Sequence, residues 1–168
     1  MAARDVVKNS NLFVDGRGYA GQLQDFDPPK LTLVTEDARM GGMDAPVELT
    51  MGMEKLEAGF TLISYDKAVL SQWGVGEGSN VPFTVREALE SWDGNVTAVV
   101  HTMRGKIKAI DPGTHKPGEV APLKVSLALD YYKQTHGSTT VHEIDVVNMV
   151  RVINGVDALA DIRRALGI

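Results

Sequence analysis

The chain has 168 residues, 43% of them hydrophobic and 23% charged, with 17 Lys and Arg against 22 Asp and Glu and no cysteine. That length suits one domain that buries roughly 68–70% of the surface its unfolded form exposes, so no covalent staple is needed. The missing cysteine excludes disulfide frameworks, thiolate zinc sites and cysteine nucleophiles, and a net charge of −5 disfavours a dedicated nucleic-acid binder, which needs clustered Lys and Arg. No hydrophobic run approaches the ~20 residues of a membrane span, and the first thirty residues carry no apolar signal core, so a soluble protein of a reducing compartment is expected. The acidity is uneven. Met1 to Thr84 holds seven basic and twelve acidic residues, whereas the second half is balanced, and Glu36 to Glu57 alone sums to −4.

Period-two alternation dominates the chain and predicts half-buried strands. Asn11 to Gly16 reads as a short strand entering a turn, with Tyr19 to Leu23 placed to pair back on it. Pro28-Pro29 interrupts the chain before a second extended stretch, Leu31 to Val34. Thr35 to Pro46 is a charged, glycine-bearing connection without apolar alternation, long for a hairpin. Val47, Leu49, Met51 and Met53 then alternate with Glu48, Thr50, Gly52 and Glu54, and Phe60 and Leu62 continue as another strand.

Ser64 or Asp66 is placed to cap a short helix over Lys67 to Trp73 that stops at Gly74. Val96 to Ala109 is the longest strand expected, with Thr97, Val99, His101 and Met103 on one face and Arg104, Lys106 and Lys108 at period two. Asp111-Pro112-Gly113 and Lys116-Pro117-Gly118 mark a second turn-rich insertion. Leu123 to Asp130 is the cleanest alternation, and a hairpin turn is expected around Gly137-Ser138. At the C-terminus, Asn154 is read as a cap for a helix whose stripe of Val156, Leu159, Ile162 and Leu166 should lie across a sheet, with Asp157 early and Arg163 and Arg164 late in it. The fold class is therefore mainly β, a sandwich or small barrel with a short internal helix and a C-terminal helix. One domain over 1–168 is expected, with extended loops at about 35–53 and 110–120 and a mobile N-terminal lead over 1–10.

Catalytic signals are absent. Gly74-Val75-Gly76-Glu77-Gly78 follows a helix rather than a strand, the wrong context for a phosphate cradle. His101, His115, His136 and His142 lack metal-ligand spacing, no Gly-x-Ser-x-Gly occurs, and no carboxylate pair is singled out for acid–base work. Asn95-Val96-Thr97 fits a glycosylation sequon but reads as a strand start. For Arg104, Lys106 and Lys108 two readings stand: a charged strand that discourages edge pairing, or a basic face that meets an acidic surface of another subunit.

Several segments in the same order resemble the major tail tube proteins of contractile-tailed bacteriophages and the tube proteins of R-type bacteriocins. They are Asn11 to Gly16, Pro29-Lys30-Leu31, Thr35-Glu36, Arg39 to Val47, Met51 to Glu54, Met103-Arg104-Gly105, Asp111 to Gly113 with Lys116 to Glu119, and Tyr131 to Lys133. The end matches best, through Glu143 to Asp145, Asn148, Val152 to Asp157 and Leu166-Gly167. The resemblance is weakest from Ser64 to Asn95, and Ala38 stands where the family often has an aromatic.

The resemblance implies a structural protein without enzymatic activity, catalytic residues, cofactor or metal. Its copies would form stacked, hexameric rings, the inner tube of a contractile tail that conducts DNA or punctures a membrane. Implied partners are the chain itself, a contractile sheath protein, baseplate or initiator proteins and a tube terminator, with DNA a transient non-specific passenger and no membrane insertion of the subunit. Assembly in the bacterial cytoplasm and residence in a virion tail or bacteriocin particle follow. Within this frame Glu36, Asp37, Arg39, Met40, Gly41, Gly42, Met43 and Asp44 are the expected assembly interface, and Glu48 and Thr50 the expected lumen-facing residues. The alternatives are a type VI secretion tube protein, a small ligand-binding β-sandwich, which should expose an aromatic platform, and a hydrolase, for which no nucleophile is visible.

Overall fold

The computed structural model describes residues 3–168. Twelve strands and two short helices follow one another as β1 (Val6–Val14), β2 (Arg17–Gly18), β3 (Leu23–Asp27), β4 (Leu33–Ala38), β5 (Val47–Met53), β6 (Leu56–Leu62), α1 (Lys67–Leu70), β7 (Val81–Glu90), β8 (Val96–Asp111), β9 (Leu123–His136), β10 (Thr139–Asp145), β11 (Val150–Ile153), β12 (Val156–Asp157) and α2 (Ala160–Leu166). The fold is mainly β with a C-terminal helix, as the alternation predicts, but the sheets do not close into a barrel.

Ten strands form one sheet, ordered β12-β11-β10-β9-β8-β7-β1-β2, with β3 and β6 branching from β9. Each early element has a local cause. Asp15 (φ 48°) and Gly16 (φ 77°) supply the two left-handed residues of a two-residue hairpin turn between β1 and β2. Arg17 and Gly18 pair back and the Tyr19 N–H donates to the Leu12 carbonyl at 2.8 Å, while Leu23 onward pairs with β6 instead. Residues 6–10 of the N-terminal lead lie in β1, paired along β7, and residues 1–2 lie outside the described residues. Strand β7, with Val81, Phe83 and Val85 buried, is a central strand that the sequence reading did not assign.

The two long strands carry the architecture. Along β8 the buried residues are Val99, His101, Met103, Gly105 and Ile107 without a break in period. On β9 they are Leu123, Val125, Leu127 and Leu129, then Tyr132, so the period slips at Asp130. The register shows the same event: Arg104 pairs with Tyr131 but Gly105 pairs with Leu129, which leaves Asp130 as a bulge. Here β9 changes neighbours. Its first half, Leu123 to Leu129, pairs with β6, and its second half, Tyr131 to His136, pairs with β10.

The branch through β6 and β3 turns over the β1-β7-β8 side and closes the core. Phe60 of β6 meets Phe83 of β7 at 6.1 Å, and Phe26 of β3 sits edge-on to His101 of β8 at 5.2 Å. Leu12, Leu62, Val85, Met103, Leu127 and Tyr19 fill the space between. Burial of each such side chain contributes about 1.5–3 kcal/mol, which is the main source of cohesion.

The helices differ from expectation. Helix α1 covers only Lys67–Leu70, capped by the Asp66 carboxylate, which accepts from the Ala68 N–H at 2.7 Å. Asn154 is not a helix cap. It takes a left-handed turn (φ 49°) between β11 and β12, and α2 begins six residues later. The expected stripe does not lie across a sheet either: α2 buries no residue fully, and Val156, Ile162 and Leu166 remain exposed. Asp157 anchors the helix instead, accepting from the Leu159 N–H at 3.0 Å and from Arg163 at 2.6 Å. The Arg163 guanidinium holds the Asp157 carboxyl below its usual range.

The bulge requires a close backbone approach. A methyl group on Gly105 would stand 2.1 Å from the Ala128 carbonyl oxygen and 2.8 Å from the Leu129 Cα, so backbone and not a mobile side chain would have to yield. Gly105→Ala is expected to cost about 3 kcal/mol or more, a fall in Tm of about 2–4 °C per kcal/mol at this size. Gly76→Ala, at an open loop position, should leave Tm unchanged. Thermal unfolding of the two variants beside the parent checks this, and equal Tm values would contradict the close-approach argument.

Candidate functional site

Strands β4 and β5 form a separate two-stranded sheet. The stretch read as a loop from Thr35 to Pro46 is thus partly strand: Thr35 to Ala38 belong to β4, and only residues 39–46 form the connection. Among the described residues no third strand pairs with the hairpin, and a lone two-stranded hairpin is marginal in water.

Register sorts its side chains into two unlike faces. Asp37 stands opposite Glu48 and Thr35 opposite Thr50, so these four share one polar, acidic face. Directly opposed like charges are unfavourable, and no cation is within salt-bridge distance of either carboxylate among the described residues. Val47, Leu49 and Met51 alternate onto the other face, and all three are exposed, Met51 at 59%. The hairpin therefore presents a mainly apolar side, which also carries Glu36 opposite Leu49, and an acidic side without a cation partner among the described residues.

Its tip is a turn in which the Met43 N–H donates to the Met40 carbonyl at 3.1 Å and Gly42 takes φ 89°. Arg39 is turned inward to its own loop, its Nε donating to the Met43 carbonyl at 3.4 Å, and it forms no ion pair among the described residues. Met40 is 66% exposed at the outermost point. Glu36, Asp37, Arg39, Met40, Gly41, Gly42, Met43, Asp44, Glu48 and Thr50 thus all fall on this one hairpin.

Arg104, Lys106 and Lys108 lie elsewhere, on the open face of β8. From Val99 to Gly105 that strand has neighbours on both sides, so the edge-protection reading fails for Arg104. Each cation already has an acid of its own chain. Arg104 reaches Asp145 at 3.5 Å and stacks 4.5 Å over the Tyr131 ring; Lys106 meets Glu77; Lys108 meets Glu57 at 2.7 Å. Glu57 also binds Lys55 at 2.9 Å, and the two lysines hold its carboxyl down at about 2.

A groove of about 500 Å³ opens beside the hairpin base. Met51 and Met53 of β5, Leu129 and Ile144 at the fork, and Leu159 and Ile162 beside and on α2 give it a largely apolar lining. Met149, part of its lining, is held by Arg163, which donates to the Met149 carbonyl at 2.7 Å. Sequence reasoning missed this groove because its walls come from segments about one hundred residues apart. It also missed Trp92, 82% exposed in the β7–β8 turn, although Ser91-Trp92-Asp93-Gly94 is a turn sequence that leaves its aromatic outward.

Among the described residues no three His, Asp or Glu are grouped so as to hold an ion. His101, unlike a surface histidine, is buried, with Nδ1 3.0 Å from the Tyr132 hydroxyl and Nε2 3.2 Å from a Glu87 oxygen.

The family model for phage tail tube protein FII matches residues 4–167. The chain belongs to that family. It is 33% identical to the tail tube protein of Escherichia phage P2, over the whole of both chains, and 28% identical to the major tail tube protein of Serratia phage KSP20, over all of this chain and 99% of that one. A chain in the baseplate of the anti-feeding prophage overlays on 77% of this chain and 91% of its own, with 13% identity and a TM-score of 0.49, too low to carry an argument. The resemblance read from the sequence thus holds over the full length.

Burial pushes Tyr132 up to about 12, with Glu87 adding to it, and burial followed by the Glu143 hydrogen bond does the same for Tyr131. A raised phenol keeps its proton in the fold between about pH 10 and 12, where the unfolded chain loses it, so stability present below pH 10 drains away over that window. An ultraviolet titration should show two tyrosines ionising near 12 in the folded protein, and Tyr132→Phe should flatten the alkaline loss of stability. Ionisation of all tyrosines near 10 before unfolding would contradict it.

Proposed function

We propose that this protein is the structural subunit of a phage-type tail tube, built from stacked hexameric rings of this chain inside a contractile sheath. The observation that carries the reading is the β4–β5 hairpin, whose exposed apolar face and two unpaired strand edges are incomplete in the isolated chain. Strands of a neighbouring copy would pair with those edges and cover Val47, Leu49 and Met51, converting a marginal hairpin into part of a continuous sheet. A heterologous contact that closes by rotation gives a ring, and stacking extends rings into a tube.

The acidic face then has a use. With the apolar side against a neighbour, Glu48, Thr50 and Asp37 face the lumen, where a negative wall repels DNA phosphates and lets a passenger slide without sticking. The tip residues Arg39 to Asp44 reach the adjacent ring or subunit, and Gly41 and Gly42 let the chain bend there. Arg104, Lys106 and Lys108 are assigned to cohesion within the subunit, since each has an acid partner of its own. Sheath, baseplate or initiator and terminator proteins are the further partners, in a particle assembled in the bacterial cytoplasm and carried as a virion tail or bacteriocin.

Deletion of 41–45 should leave a protein that melts cooperatively near the parent Tm yet forms no tubes by negative-stain electron microscopy. Normal tubes from the deletion variant would refute the assignment of the tip to assembly.

A further inference from the structure

We propose that Trp92 of one copy seats in the apolar groove between β5, the β9 fork and α2 of another copy, a contact that rests on the self-assembly proposed above.

Trp92 is unusual in being both rigidly presented and unused. The Ser91 N–H donates to the Asn95 carbonyl at 3.0 Å, the Gly94 N–H to the Ser91 carbonyl at 2.9 Å, and the Trp92 N–H to the Ala3 carbonyl at 3.0 Å. The Asp93 carboxylate fixes Asn95 from the other side. A turn held at four points presents the indole with little ordering left to lose on docking. Trp73, the other tryptophan, is already engaged, its Nε1 donating to the Lys108 carbonyl at 3.4 Å and its backbone bridging to Ile107. Among the described residues the Trp92 indole has no such partner, and it shares a shallow surface depression with exposed Val6.

The groove has the complementary properties. Its volume of about 500 Å³ admits an indole, and its walls are methionine and branched aliphatic side chains that adapt to an aromatic plate. Tryptophan, with tyrosine and arginine, is enriched among the desolvated anchors that carry most of an interface's binding energy. The two parts cannot meet within one chain: the groove lies at the level of Gly105 and Leu129, and ten residues of β8 separate Asn95 from Gly105, about 30 Å at ~3.3 Å per residue. A protrusion and a pocket at different places on one surface make a heterologous contact, which repeats from copy to copy.

Charge runs the same way. Among the described residues Asp5 and Asp93 flank Trp92 without a cation within salt-bridge distance, while at the groove Arg151 has no anion partner and Lys55 shares Glu57 with Lys108. The groove's four charged lining residues, Glu54, Lys55, Asp145 and Arg151, sum to zero, and Arg151 is the one cation among them with no acid within salt-bridge distance among the described residues, the position an acidic tip would meet.

The cysteine-free chain makes the test clean. Trp92→Cys with Ile162→Cys, assembled under reduction and then oxidised, should give a ladder of covalent oligomers on a non-reducing gel, each single variant staying monomeric. Assembled tubes without a ladder, or dimers from Trp92→Cys alone, would overturn the proposal and leave self-assembly standing. If the thiol variants do not assemble, Trp73→Phe keeps Trp92 as sole tryptophan, and its emission should move to the blue on assembly; an unchanged maximum overturns the proposal. Trp92→Ala should raise the concentration needed for assembly about thirtyfold or more, and assembly at the parent concentration would count against it. A parent protein that never assembles would overturn the functional reading and this contact together.

Discussion

Everything distinctive about this fold follows from one close approach, the backbone of Gly105 against Ala128 and Leu129. With any side chain at that position the β8 and β9 backbones could not come together where Asp130 bulges, since even a Cβ would press on a carbonyl oxygen at 2.1 Å. The bulge lets one strand serve two directions. Before it, β9 pairs with β6, and through β3 folds a lid over the core; beyond it, β9 pairs with β10 and carries β11, β12 and α2 outward. The Asp130 carbonyl, released from the ladder, accepts the Val146 N–H at 2.9 Å, so the freed polar group is used to hold the second branch.

The fork also explains why the molecule has a surplus. The chain leaves β3, makes the β4–β5 excursion and returns as β6 at the fork, with the Glu54 N–H donating to the Thr32 carbonyl at 3.0 Å to close its base. Beyond Met53, which packs against the core at its base, nothing among the described residues covers the excursion, and the groove at its foot stays open because α2 is short and tied down by Asp157 and Arg163 instead of lying across a sheet. A single copy thus folds around a closed apolar core while leaving a largely apolar hairpin face, an apolar groove and an indole in water. Exposed apolar area of this kind marks interaction surfaces, and the proposed assembly would cover it with a neighbouring copy.

Much of this was legible from residue pattern. Strands β5, β8 and β9 announce themselves by alternation, Asp15-Gly16 by turn chemistry, and α1 by the Asp66 cap. The acidity of Glu36 to Glu57 pointed to the segment that the structure isolates as a hairpin and its approach to the body. Other elements were hidden for physical reasons. The Val81-Pro82-Phe83 start of β7 looks broken by its proline, yet Pro82 lies in the ladder with its carbonyl accepting the Asp15 N–H at 2.9 Å. Asn154 resembles a helix cap, but an asparagine suits a left-handed turn equally well, and the turn won because β11 and β12 pair across it. The bulge at Asp130 leaves no mark in composition, since it depends on Gly105, twenty-five residues earlier in the chain.

The central claim is that the β4–β5 hairpin is marginal alone and is completed by another copy. Amide hydrogen exchange read on monomer and assembled protein tests it most directly. The account predicts fast exchange for Glu36, Asp37 and Val47 to Met51 in the monomer, strong protection of the same amides after assembly, and protected β7 to β9 amides in both states. Hairpin amides that exchange equally in monomer and assembly would contradict it.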